Sequence, residues 1–279
     1  MSVEHQAFLL AVLAAVFAAG RAYWIKATDT RLLLYGASNL VCLLAALALL
    51  PVVGLLPLEA LPYLLLSTCI YTAYIFFQLN NFQNLNISLL EPLQKGVYMF
   101  FLLMFSSVLL DEIIGLYDML AVFLLFAGLY FLLDFRAAKH NPRHIGACAA
   151  AGILSACLVL SDTMGIRVSG EPVTYIVWNL MIGAPSIFLA LMIHRKSVLT
   201  FLGSRWKNIS MMCLCDVLSY GLVLYILYMI EISSALPLLN LGIVLTALFG
   251  AFWLKEKLSV RSWSAIAIIA ISISMAQFF

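Results

Sequence analysis

Long apolar runs, separated by short charged or proline-bearing stretches, organise this chain from end to end. The runs fall near residues 6–24, 32–50, 61–80, 86–110, 113–133, 145–163, 173–193, 208–230, 232–254 and 258–278. An α-helix needs about 20 apolar residues to cross a hydrocarbon core, so each run predicts one spanning helix. Membrane-spanning strands would read as alternating segments of about ten residues, whereas these runs are longer and uniformly apolar. The breaks carry charge or turn chemistry: Lys26 to Arg31, Pro51 to Pro62, Arg136 to His144, Arg195 to Lys207 and Lys255 to Arg261. The expected fold is therefore all-α and integral to a membrane, with ten transmembrane helices and no room for a soluble domain.

Composition strengthens that reading. Hydrophobic residues make up 65% of the 279, charged residues 10%, and the mean hydropathy is +1.09. A soluble domain carries about 25% charged residues, so this chain would have too little polar surface to cover itself in water. A net charge of +2 predicts no nucleic-acid partner. Met1 to Gln6 lacks the basic stretch of a cleavable leader, so the first run is expected to remain as a helix. Cys42, Cys69, Cys148, Cys157, Cys213 and Cys215 all lie in apolar runs and read as small buried packing residues. No metal is expected. Cys213 and Cys215 point to different sides of a helix, and His140 and His144 flank Pro142 in a predicted loop. No phosphate-binding Gly-x-x-x-x-Gly-Lys-Ser/Thr loop, His-Glu-x-x-His or Gly-x-Ser-x-Gly is present. The chain is thus expected to be no enzyme and to need no cofactor.

The two halves read as copies. Tyr35-Gly-Ala-Ser-Asn39-Leu40 recurs as Tyr175-Ile-Val-Trp-Asn179-Leu180, Pro92 as Pro237, and Glu112 as Glu256, at offsets of 140, 145 and 144 residues. A duplicated five-helix unit must insert its second copy upside down, an arrangement that places transporter sites at the repeat interface near the midplane. The predicted units are residues 1–137 and 138–279.

The segment Phe249-Gly250-Ala251-Phe252-Trp253-Leu254-Lys255-Glu256-Lys257-Leu258-Ser259, followed by a helix rich in Ala and Ile, resembles the EamA-type repeat of the drug/metabolite transporter superfamily. Ser88-Leu89-Leu90-Glu91-Pro92-Leu93, continuing through Asp111-Glu112 to Gly128, follows the same pattern less closely. The resemblance implies a ten-helix inverted-repeat carrier for metabolites, amino acids, amines or drugs. One departure is that Asp111 and Lys255 stand where the family pattern has glycine before the acidic residue. A second concerns orientation. Lys26, Arg31, Arg136, Lys139, Arg143, Arg195, Lys196, Arg205, Lys207, Lys255, Lys257 and Arg261 fall in odd-numbered loops, against Arg167 alone in the even-numbered ones. Short cytoplasmic loops retain Lys and Arg, so both termini are expected outside the cytoplasm of a cell membrane, whereas the resemblance implies both inside.

Ionisable groups inside a span are costly and face a cavity or a partner. Ser67, Tyr71, Tyr74, Gln78 and Asn81 recur at steps of four, three, four and three, laying a polar aromatic stripe along one helix face. Interhelical hydrogen bonding is the competing explanation for such a stripe. Asp216 and Tyr220 lie one turn apart, with Glu231 near the end of the same run and no basic residue within a turn of Asp216. That carboxylate could hold a cation, bind and release a proton, or stay protonated against a neighbour. Cys148, Ser155 and Asp162 share a face, and Asp162 is expected to pair with Arg21. Glu91 and Lys95 stand at i and i+4, able to neutralise each other, on one stripe with Ser88 and Tyr98. Asn39 and Asn179, with Tyr35, Tyr175 and Trp178, add a neutral polar layer, and Pro92, Pro185 and Pro237 are expected to kink or start helices.

The candidate substrate-binding residues are therefore Tyr71, Tyr74, Gln78, Asp216, Tyr220, Glu91, Trp178, Asn179, Asn39 and Asp162. The expected function is secondary transport by alternating access, possible as monomer or dimer, with proton or gradient coupling open. Glu91, Asp162 and Asp216 against Lys95 and Arg21 leave a slight acidic excess beside aromatic rings, which suits an organic cation. The resembled superfamily includes choline carriers, so choline or a related quaternary amine is the leading expectation. Amino-acid or metabolite export, and flipping of a lipid-linked group, are the alternatives.

Overall fold

A computed structural model describes residues 3–26, 28, 30–84, 87–111, 115–132, 142–193, 197–242 and 245, with 260, 263–265, 267, 268 and 271 beyond them. Every regular element among them is helical. The helices are α1 (Val3–Lys26), α2 (Arg31–Val53), α3 (Leu61–Asn84), α4 (Ile87–Leu109), α5 (Leu116–Leu132), α6 (Pro142–Ser169), α7 (Pro172–Asn179), α8 (Ala184–Ile193), α9 (Ser197–Met229) and α10 (Ile232–Leu239). Among the described residues, six stretches are long and apolar enough to cross a membrane: His5–Ile25, Arg31–Val53, Leu61–Gln78, Gly146–Ser169, Pro172–Met192 and Gly203–Met229. Their outer faces present large apolar side chains, among them Leu44, Leu47, Leu65, Phe76 and Met211. Such faces are stable against lipid, where each helix satisfies its own backbone.

These helices do not map one to one onto the predicted runs. The run at 173–193 is two helices, α7 and α8, joined by a turn at 180–183. Pro185 gives the reason, since its ring lacks an N–H and would clash with the carbonyl four residues back, that of Met181. The turn instead closes with tight bonds, Met181 N–H to the Trp178 carbonyl and Ile182 N–H to that of Asn179, both 3.1 Å. Gly183 lets the broken segment approach α2, because a Cβ there would come within 2.4 Å of Asn39 Cγ. The break expected over 195–207 narrows to a kink: α9 begins at Ser197 and leaves helical geometry at Arg205, where two helical pieces meet. Most of the predicted span at 258–278, the motif around Lys255 and Glu256, and Glu112 lie outside the described residues.

Asp111 closes α4 with φ 53°, the left-handed conformation that glycine adopts most readily and aspartate tolerates. This is the first position at which the sequence departs from the family's glycine. The backbone has kept the conformation that glycine would serve.

Small residues organise the packing. Ala7, Ala11, Ala14, Ala15, Ala19 and Ala22 are buried along α1, which runs against α9, while α3 and α4 both pack on α6. Lipid tails supply no hydrophobic drive between helices, so close backbone approach over small side chains carries such contacts. At one end of the bundle the Arg167 guanidinium donates to the Leu227 and Ile230 carbonyls at 3.3 and 3.2 Å. Those are C-terminal carbonyls of α9, where the helix dipole favours a cation.

Candidate functional site

The helices enclose a central cavity that offers the centres of water-sized molecules about 180 Å3. Ala11, Ala14, Ala15 and Ala18 of α1 form one apolar wall, and their small size opens the space. Opposite stand Tyr71, Tyr74 and Gln78 of α3, with Gln94, Lys95 and Tyr98 of α4. Asn39 and Cys42 come from α2, and Asn179, Leu180, Ile182 and Gly183 from the broken segment. Asp216, Ser219 and Tyr220 enter from α9.

Arg21 and Asp216 face each other in this wall, Nη1 to Oδ1 at 2.9 Å. Their side chains keep 28% and 18% exposure, so the pair opens onto the cavity and is not sealed in the packing. The Tyr71 and Tyr74 rings lie 6.3 Å apart at a 32° tilt. Gln94 Nε2 donates to the Tyr74 hydroxyl at 3.4 Å. The side-chain oxygens of Gln78 and Gln94 have no hydrogen-bond partner among the described residues, although both side chains are over nine-tenths buried. Buried polar atoms are normally satisfied, so these two carbonyls lack the donor such groups usually have, beside a cavity that both residues line.

Behind the cavity lies a second polar cluster. Asp162, at 0% exposure, accepts the Ser67 hydroxyl at 2.5 Å and the Tyr175 hydroxyl at 2.9 Å on Oδ1. Its Oδ2 accepts the Tyr220 hydroxyl at 2.5 Å. The carboxyl thus ties α3, α6, α7 and α9 together. Tyr175 reaches it because residue 165 is glycine: a Cβ there would lie 2.4 Å from the Tyr175 hydroxyl.

A spanning helical bundle around a polar cavity is the anatomy of a carrier, and comparison with known proteins agrees. Residues 143–277 match the model of the EamA-like transporter family. Over those residues the chain is similar to the EamA-like transporters. One solved structure, described only as a protein, aligns with this EamA-like chain at a TM-score of 0.73 and 17% identity. It covers 98% of this chain and 96% of its own length, a likeness that shows a shared fold. No curated protein matches the sequence.

Against that frame of an EamA-like carrier, seven sequence-derived candidates line the cavity: Tyr71, Tyr74, Gln78, Asn39, Asn179, Asp216 and Tyr220. Asp162 does not reach the wall. Its expected partnership with Arg21 is corrected, as is the expectation that Asp216 lacks a base within reach. Arg21 sits on α1, which packs along α9, so it meets Asp216 while hydroxyls surround Asp162. Trp178 also stands off the wall. Its indole N–H donates to the Gly54 carbonyl at 3.1 Å and so clamps the loop after α2. The Glu91 and Asn81 side chains lie outside the described residues. Cys69 is exposed on α3, contrary to the expected burial, while Cys42 and Cys213 pack with sulfurs 3.0 Å apart.

Gln94, Ser219 and the alanines of α1 were not singled out in the sequence. A search for polar groups passes over alanine, whose contribution is the space it leaves. Lys95 and Tyr98 carried a signal in their stripe with Ser88, and both line the wall.

Proposed function

We propose that this EamA-like protein is a secondary transporter that holds a small zwitterionic solute in the central cavity and passes it across by alternating access. The observation carrying this reading is the Arg21–Asp216 pair, open to a cavity that Lys95, Gln78 and Gln94 also line. A quaternary amine such as choline, the leading expectation from sequence, would need an acid not already matched by a base. Asp216 has Arg21 beside it, so the acid of the described lining is already matched by a base. A zwitterion suits both signs: its ammonium meets Asp216 and the tyrosine faces, its carboxylate meets Arg21 or Lys95. Amino acids are the simplest solutes of that class.

Alternating access here means two inverted five-helix repeats, residues 1–137 and 138–279, rocking about the cavity. Support comes from the packing. The contacts α3–α6 and α1–α9 interchange when each helix is replaced by its counterpart in the other half. So do α4–α6 and α1–α10, and likewise α2–α9 and α3–α8.

Radiolabelled threonine, phenylalanine and choline offered to proteoliposomes containing the full chain test the reading. Saturable flux of an amino acid without choline flux is expected. Choline flux alone would return the quaternary-amine reading, and no flux of any of the three would remove the zwitterion reading.

The loop charge bias further predicts both termini outside the cytoplasm. A C-terminal fusion to alkaline phosphatase, active only outside, is expected to work. A fluorescent C-terminal fusion that folds only in the cytoplasm would reverse the orientation.

A further inference from the structure

One carboxyl of the bundle is tied to its neighbours by hydroxyls. Asp162 is fully buried in α6, beyond the reach of solute. A carboxylate in apolar surroundings is costly unless a cation pairs with it or a proton neutralises it. Here hydroxyls take that place. The groups facing it are Ser67 from α3, Tyr175 from α7 and Tyr220 from α9, and Tyr98 of α4 packs in the same cluster as Tyr220. Among the described residues no Lys or Arg pairs with Asp162, and Arg21 is committed to Asp216 one turn before Tyr220. A proton is the counter-charge left to it.

The three donors differ in their surroundings. Ser67 and Tyr175 are both at 0% exposure and hold Oδ1 in place. Tyr220 holds Oδ2 and also lines the cavity. The Tyr220 hydroxyl, with the Asn179 amide beside it, therefore stands between the sealed carboxyl and the cavity.

We infer that Asp162 is a proton-binding site that couples transport to a pH gradient, loaded and unloaded through the Tyr220 hydroxyl. A hydronium ion in the cavity gives a proton to the Tyr220 oxygen as the Tyr220 hydroxyl proton passes to Asp162 Oδ2. Water, a neutral tyrosine and a carboxylic acid result, and the reverse step unloads the site. Because Tyr220 is part of the cavity wall, Asp162 exchanges protons with whichever side the cavity faces. The solute and Asp162 also share Tyr220 as a donor, so occupancy of one site is felt at the other, which is what coupling requires.

The coupling half of this inference rests on the transport reading; the proton site does not, and two measurements separate them. In proteoliposomes, Asp162→Asn is expected to lose threonine accumulation driven by a pH gradient while still exchanging labelled for unlabelled threonine. Accumulation persisting in Asp162→Asn, or wild-type accumulation that ignores the gradient, overturns the coupling. Loss of exchange as well, in a variant that elutes as folded protein, makes Asp162 a structural tie only. The second measurement needs no transport. Infrared difference spectra of the purified protein across a pH titration are expected to show a carboxylic-acid band that Asp162→Asn removes. Tyr220→Phe is expected to slow the band's appearance after a pH jump. No titrating band assignable to Asp162 overturns the proton site even if threonine is carried. A band without threonine flux leaves the site standing and removes the transport reading.

Discussion

Asp216→Asn and Arg21→Gln are each expected to stop transport, and the double variant is expected to regain stability without regaining flux. Removing one member leaves the other as an uncompensated charge in a span. Breaking a fully buried pair costs about 3–5 kcal/mol and an exposed pair contributes about 0–1 kcal/mol. At 28% and 18% exposure this pair lies between those limits, so each single variant should lose roughly 1–3 kcal/mol. The double variant buries no charge, so its melting temperature in detergent should return toward wild type. Flux should not return, because a zwitterion then meets neither the acid nor the guanidinium. Size-exclusion melting curves and proteoliposome flux on the same preparations separate the two effects. Wild-type flux in Asp216→Asn would take the pair out of the mechanism. Wild-type flux in the double variant would reduce it to a tie between α1 and α9.

What the sequence shows of this molecule follows from its solvent. Lipid demands long apolar helices, and that demand is written directly as long apolar runs, so α1 to α6 fall close to their predicted positions. The α3 stripe was legible for the same reason, since a polar face within a span has to be turned away from lipid. Pairing was not legible. Whether Arg21 meets Asp162 or Asp216 depends on which helix lies against α1, and no spacing along the chain records that. The α7–α8 break was half visible. Pro185 and Gly183 stood in plain view, but an unbroken apolar run reads as one helix whatever its backbone does. The start of α9 was hidden by the opposite error. Arg205 and Lys207 read as loop residues by their charge, but helical backbone runs on both sides of the kink at Arg205.

Gly165→Ala is expected to be the most damaging single-methyl change near the cavity. The added Cβ would lie 2.4 Å from the Tyr175 hydroxyl, 2.5 Å from Cε2 and 2.6 Å from Cζ. Tyr175 is at 0% exposure, so its ring has no open space to swing into. Overpacking a filled interior costs about 1–3 kcal/mol. Displacing the hydroxyl also breaks its bond to Asp162, a further loss of about 0.5–1.5 kcal/mol with that carboxyl protonated and about 1.5–3 kcal/mol with it ionised. Tyr175→Phe removes that bond without adding volume, so it should lower the melting temperature by less than Gly165→Ala does. Combining the two changes should rescue little, because the ring carbons still collide with the new methyl when the hydroxyl is gone. Melting curves of the three variants against wild type decide the order. Gly165→Ala melting like wild type would mean that α6 and α7 can part without cost. The tie through Asp162 would then be slack, and with it the short path from Tyr220 to the buried carboxyl.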